Sequence, residues 1–248
     1  MDLLIDTLTL RPYVFAFMAA FVVLALHDLG RRRTVAFTAS TLGVAWTAEF
    51  VSTRVGFPFG LYYYTGVTRS RELYLSNVPV FDPVSFVFLA YASYCLARLM
   101  LGHARGLPVV AASAVFMMLL DVVIDPLAVR GNRWFLGRVF YYPDGGVLFG
   151  VPLSNFAGWV LVGGLAIGAF VGVAGGGDGD TRSARGGVVL YYGVLAFNLA
   201  LAWWIGERVL FGLGVLLHLS LFLAVWSCYA GRGERRVAAV GPGARPAF

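Results

Sequence analysis

The chain has no lysine. That absence excludes a retinal protein, which needs a lysine for its Schiff base, although the number of apolar runs comes to seven. Charge of either sign is scarce: 13% of the 248 residues are charged, against about a quarter in soluble domains. Cysteine is limited to Cys95 and Cys228, both within apolar runs, which leaves no disulfide framework and no cysteine metal pattern. Small buried packing residues are the better reading of both. Of the three histidines, His27 and His103 fall in or beside loops. His218 stands alone in the last apolar run, where it packs between helices or relays protons.

What remains is apolar: 59% hydrophobic residues and a mean hydropathy of +0.78, with the charges gathered between long runs that lack them. Runs continuous over roughly twenty residues indicate membrane helices, whereas barrel strands alternate over about ten. The expected fold is all-α, a polytopic membrane bundle of seven transmembrane helices near residues 8–26, 34–53, 79–99, 107–125, 151–173, 187–206 and 209–230. One transmembrane domain over 1–233 and a flexible tail over 234–248 follow. The first run lacks a small-x-small cleavage site and leads into HDLGRRR, so it reads as a retained span. Spans six and seven, joined around Glu207 and Arg208, form an antiparallel pair. The GVAGGGDGDTRSARGG segment is a flexible loop, without the spacing of a calcium loop or the setting of a phosphate loop.

The net charge of +6 rests on arginine alone, which fits anionic lipid headgroups rather than nucleic acid. Clusters at Arg31–Arg33, Arg98, Arg105, Arg182, Arg185 and the GRGERR segment place the N-terminus outside and the C-terminus in the cytoplasm. The opposing loops carry Arg54, Arg69, Arg71, Arg130, Arg133 and Arg138.

Against this background a few carboxylates stand out. Asp121 and Asp125 end the run PVVAASAVFMMLLDVVIDP one helical turn apart, and Glu49 ends the run TLGVAWTAEF. Acidic groups within spans mark lined cavities or reaction paths. Residues four apart share a helix face. Two such carboxylates in a partly dry site divide the work, one holding a proton as acid while its neighbour stays ionised. The alternatives are pairing with arginine or capping of local backbone, to which Asp125, before Pro126, is the more open. Asp82 in the FDP string is also a good helix N-cap, and Asn155 and Asn198 can orient water or bond between helices.

The segments after spans two and four share a pattern: a carboxylate, an aromatic and glycine-rich loop, then Val78-Pro79 or Val151-Pro152 at a helix start. A duplicated two-helix unit would produce it. Whatever its origin, the pattern puts Glu49, Asp82, Asp121, Asp125 and Asn155 at similar depth near one membrane face. The loops FPFGLYYY, WFLG and FYYP supply interfacial aromatics and are expected to turn partly back into the bundle as the roof of a cavity. The Asp121-x-x-x-Asp125 spacing also suits magnesium, but intramembrane prenyltransferases carry two denser aspartate-rich motifs, so no metal is expected.

At these residues the chain resembles the integral-membrane carotenoid 1,2-hydratase family, which includes bacterial γ-carotene or lycopene 1′,2′-hydratases and haloarchaeal bisanhydrobacterioruberin hydratases. The strings WTAEF (46–50), FPFGLYYYT (57–65), VPVFDP (78–83), DVVIDPLAV (121–129) and FGVPLSNFAGW (149–159) carry the resemblance. It implies a bacterial or archaeal cytoplasmic-membrane lyase of carotenoid biosynthesis that adds water to an acyclic isoprenoid end group without a cofactor. Its partners are a hydrophobic carotenoid, water and membrane lipid, with functional coupling to other carotenoid enzymes. On this reading Asp121 and Glu49 are acid or base, Asp125 tunes them, and Asp82 joins the catalytic set. Tyr62, Tyr63, Tyr64, Asn155 and Trp159 contact substrate.

An end-group cyclase starts with the same protonation but captures the cation with an internal double bond. A non-catalytic carotenoid or lipid carrier would use the carboxylates as polar helix contacts, and a transporter would need access from both faces. Residues 175–186 and 234–248 carry none of the expected chemistry, so deleting residues 240–248 is expected to leave activity nearly intact. Complete loss from a normally expressed, folded protein would contradict this.

Overall fold

In the computed structural model, residues 3–178 and 181–240 are described. The chain is an all-α polytopic membrane bundle: α1 (Leu3–Leu10), α2 (Pro12–Val55), α3 (Phe81–Leu101), α4 (Leu107–Ala128), α5 (Leu153–Ala174), α6 (Arg185–Trp204) and α7 (Arg208–Val240). Six helices, α2 to α7, are long and apolar enough to cross a membrane. Two minimal strand pairs decorate the loops, β1 (Tyr63–Tyr64) with β4 (Phe140–Tyr141), and β2 (Tyr74–Leu75) with β3 (Val78–Pro79).

The 44 residues of α2 account for two of the expected spans. Straight, it would be about 66 Å long, twice the roughly 30 Å of a bilayer core. Gly30, at φ 74° and ψ 165°, interrupts it. That region is essentially reserved for glycine. The Phe21 and Phe37 rings lie 6.2 Å apart, although sixteen residues of straight helix would separate them by about 24 Å. The helix therefore folds back at Gly30 into two antiparallel limbs, 12–29 and 31–55, and the membrane is crossed seven times.

The central helix is α3, with 72% of its most apolar stretch buried, against 22% for α7 at the periphery. Small residues set the closest approaches. A Cβ on Gly163 would meet the Ala114 Cα at 3.3 Å, and one on Gly187 would meet the Cys95 sulfur at 2.3 Å. Glycines in GWVLVGGLAIGAF thus serve tight packing.

The two ends of the bundle differ. At the Gly30 end, a buried ion pair joins Arg98 to Asp28 at 2.6 Å. Asp28 also accepts from the Tyr91 and Ser183 hydroxyls, and Arg98 donates to the Asp178 carbonyl at 3.0 Å. At the opposite end lie the 56–80 and 129–152 loops and the α6–α7 turn, tied by Arg130 and Arg133 to Glu207. α7 continues past the expected span to Val240. The rest of the expected tail, 241–248, lies outside the described residues, as do Gly179 and Asp180 of the glycine-rich loop.

Nothing lies within 4 Å of a Cβ built on Gly30 or on Gly43. Gly30→Ala is therefore expected to cost about 1–3 kcal/mol through backbone strain alone, and Gly43→Ala, within a helical limb, to be neutral or stabilising. Thermal unfolding in detergent compares them; equal effects would argue against the fold-back.

Candidate active site

The loops that follow Glu49 and Asp125 build a roof. After the α2 helix ends at Gly56, the chain turns back and β1 pairs with β4 in antiparallel register, Tyr63 opposite Tyr141 and Tyr64 opposite Phe140. Successive side chains of a strand face opposite sides. Tyr62 and Tyr64 consequently turn inward, and Tyr62 is only 5% exposed. Tyr63 is 41% exposed and packs against Tyr141, away from the interior. Beneath the roof, Tyr62 meets Tyr64, Phe140 and Tyr142 at 5.5–5.7 Å between ring centroids. The aromatic loops expected as a roof are thus gathered at one end of the bundle.

Under these rings lies a cavity of about 140 Å³. One wall is the stacked pair Phe86 and Trp159, 4.2 Å apart and nearly parallel, with Phe59 beside them. Gly158 permits this: a Cβ there would lie 2.6 Å from the Phe59 ring and 2.8 Å from the Pro58 carbonyl oxygen.

Glu49, Asp82, Asp125 and Asn155 all line the cavity. Glu49 is buried and accepts a hydrogen bond of 2.7 Å from the Tyr64 hydroxyl. Burial pushes the Tyr64 phenol well above its ordinary range, and the adjacent Glu49 carboxylate adds to the shift. Tyr64 therefore stays a proton-bearing donor. Tyr62 is raised for the same first reason, burial.

Asp121 and Asp125 share one partner. The Asn155 side-chain amide donates to Asp121 Oδ2 at 2.7 Å and to Asp125 Oδ2 at 2.8 Å. The amide spends both its hydrogens there and locks the two carboxyls in register. Asp121 lies one turn deeper, fully buried and off the cavity wall, and its Oδ1 meets no donor among the described residues. α4 runs on through Pro126 to Ala128, which puts Asp125, not Asp121, against the open space.

Asp82 pairs with Arg11, which also holds Glu72 at 2.8 Å. Arg11 and Glu72 are buried, while the Asp82 side chain is 18% exposed. Burial pushes Glu72 up, with Arg11 opposing it. Arg11, Glu72 and Phe86 are site residues that the sequence pattern did not single out. An arginine inside an apolar run was the available signal, since such a cation must find carboxylates. Asn198 also lines the cavity; His218 does not, its Nδ1 lying 3.0 Å from the Gly214 carbonyl oxygen in α7. Among the described residues no three His, Cys, Asp or Glu side chains are grouped to hold a metal ion.

The arrangement suits acid chemistry on an apolar molecule. Carboxyl groups that can give and take a proton face aromatic rings whose π-faces attract positive charge.

A family profile described as "Carotenoid biosynthesis protein" matches residues 11–224. The bisanhydrobacterioruberin hydratase of Haloarcula japonica is 35% identical over 173 residues, 66% of this chain and 55% of that protein. The match thus takes in about half of that relative's length. No solved structure matches the chain.

Arg11→Met would leave buried Glu72 and partly exposed Asp82 without their cation. It is expected to cost about 3–5 kcal/mol, read as a large drop in unfolding temperature in detergent. Arg138→Met, at an exposed loop position, should change little; matching losses would refute a special role for Arg11.

Proposed function

The chain belongs to the carotenoid biosynthesis protein family, and we propose from that premise that it hydrates the terminal C1′=C2′ double bond of an acyclic carotenoid end group. γ-Carotene, lycopene or a bacterioruberin precursor would supply that end. The observation that carries the reading is that Glu49 and Asp125 face one aromatic-walled cavity, with Asp125 clamped to a second carboxyl through Asn155.

Two carboxyls that close in a dry bundle hold one proton between them. Asp125, the member at the cavity wall, donates that proton to C2′, forming a C–H bond and leaving a tertiary cation at C1′. The faces of Phe86, Trp159 and Tyr62 stabilise the cation, each by roughly 1 kcal/mol. Water held by Glu49 then forms the C–O bond, and Glu49 takes the released proton. Its return to the aspartate pair closes the cycle, with one water added overall. Asp121 acts through Asp125, tuning it; this exchanges the roles assigned to the two aspartates on the family resemblance. Tyr64 fixes Glu49, and Asp82 balances Arg11 beside the site.

The arginines support the orientation with the N-terminus outside. Arg33 meets Asp178, and Arg232 donates to the Leu99 and Met100 carbonyls, so these clusters share the Gly30 end. With that end cytoplasmic, the carboxylate site lies in the outer half of the membrane.

The test is expression in a carotenoid-free bacterium supplied with a lycopene or γ-carotene pathway, followed by mass analysis of the pigment. Wild-type protein should add one water at the acyclic end. Asp125→Asn and Glu49→Gln, at equal membrane levels, should each lower product by about a hundredfold or more. A product of unchanged mass but altered end group would make the protein a cyclase, and an untouched pigment pool from folded protein would reject the hydratase reading for these substrates.

A further inference from the structure

We propose that the polyene chain of the substrate leaves the cavity sideways, between the first limb of α2 and α6, through a portal of aromatic rings formed by Tyr13, Phe17, Trp134 and Phe197. The inference rests on the hydratase reading above.

Size makes an exit necessary. At about 140 Å³ the cavity is close to the roughly 150 Å³ apolar cavity that takes one benzene-sized molecule, and well under the roughly 300–1,000 Å³ that encloses a drug-sized ligand. It holds an end group. The remaining length of a carotenoid has to lie outside, and in a membrane protein the apolar outside is lipid.

Packing shows where. The 12–29 limb and α6 run antiparallel, and their contact changes along its length. Near the Gly30 end they touch directly: a Cβ on Gly186 would lie 2.4 Å from a Leu24 methyl. At cavity depth rings replace that contact. Tyr13 stacks on Phe197 at 5.1 Å, and Phe17 meets Phe197 edge-on at 5.8 Å. The two helices therefore diverge toward the site, and rotatable side chains fill the gap.

These rings also form a continuous layer from the cavity to the surface. Tyr13, Phe17 and Trp134 line the cavity. Phe197, half-buried, covers them from α6, and Phe135, 50% exposed, touches both Tyr13 and Trp134. The facing wall has no such path. Phe86, Trp159 and Phe59 are buried there, and Gly158 brings backbone and ring into direct contact. Rotation of these packed rings about their side-chain bonds opens a passage in which a thin conjugated chain replaces the ring-on-ring contact with its own offset stacking.

The experiment compares two substrates with the same acyclic end in detergent-solubilised or nanodisc protein: a full-length acyclic carotenoid, and a two-isoprene hydrocarbon short enough to need little of the portal. Phe197→Trp on α6 and Phe135→Trp on the loop after α4, neither of which lines the cavity, narrow the passage from two sides. Each is expected to raise KM for the long substrate at least about tenfold while leaving the short one within about twofold. Leu165→Trp, on the exposed side of α5, should alter neither. Equal effects on both substrates in both variants, or no effect on either, would overturn the portal and leave the hydratase standing. Absence of hydration by wild-type protein with either substrate would overturn the hydratase reading and the portal with it.

Discussion

Five carboxyl groups, Glu49, Glu72, Asp82, Asp121 and Asp125, stand together at one end of a bundle, with Arg11 the buried cation placed among them. Ionised carboxylates in so dry a setting are costly, and pairing or protonation must offset the cost. Arg11 settles two of them. The remaining three are handled by hydrogen bonds, from Tyr64 to Glu49 and from Asn155 to both aspartates. This division separates a fixed ionic wall from groups that are able to exchange protons.

The two ends of the molecule do different physical work. At the Gly30 end, the Asp28–Arg98 pair is sealed among Tyr91, Cys95 and Ser183, and the helices meet through glycine. At the site end, loops fill the space above the helices, and rings fill the space between the first limb of α2 and α6. Firm packing at one end holds the helices in register; side-chain packing at the other can give way to a flexible hydrocarbon. A site for a long apolar molecule needs both.

Much of this was legible in the residues. Apolar runs gave the class of fold and the number of crossings, because length and the lack of charge leave little else possible in lipid. The shared carboxylate–aromatic–Val-Pro pattern brought Glu49, Asp125 and Asn155 to one layer, and the two aromatic loops do pair with each other as β1 and β4. Three things were not legible. Which of Asp121 and Asp125 reaches open space depends on where α4 ends, and Pro126 suggested an earlier stop than Ala128. Which tyrosine of Tyr62–Tyr64 faces outward depends on strand register, which the repeated residue hides. The partners of Arg11 lie some sixty and seventy positions away, and only the folded chain joins them.

Gly30 has a metric role as well as a conformational one. Arg11 and Glu49 each stand nineteen residues from it, one on either limb. At about 1.5 Å per residue, each lies some 28 Å along its limb from the bend, close to the thickness of the hydrocarbon layer. The hairpin works as a folded ruler that brings a guanidinium on one limb and a carboxyl group on the other to a common depth. A single residue added to one limb would lift its group and swing it about 100° around the helix, parting the two. The charge balance of the site is thus written into the length of a membrane crossing, far from any residue that touches the cavity.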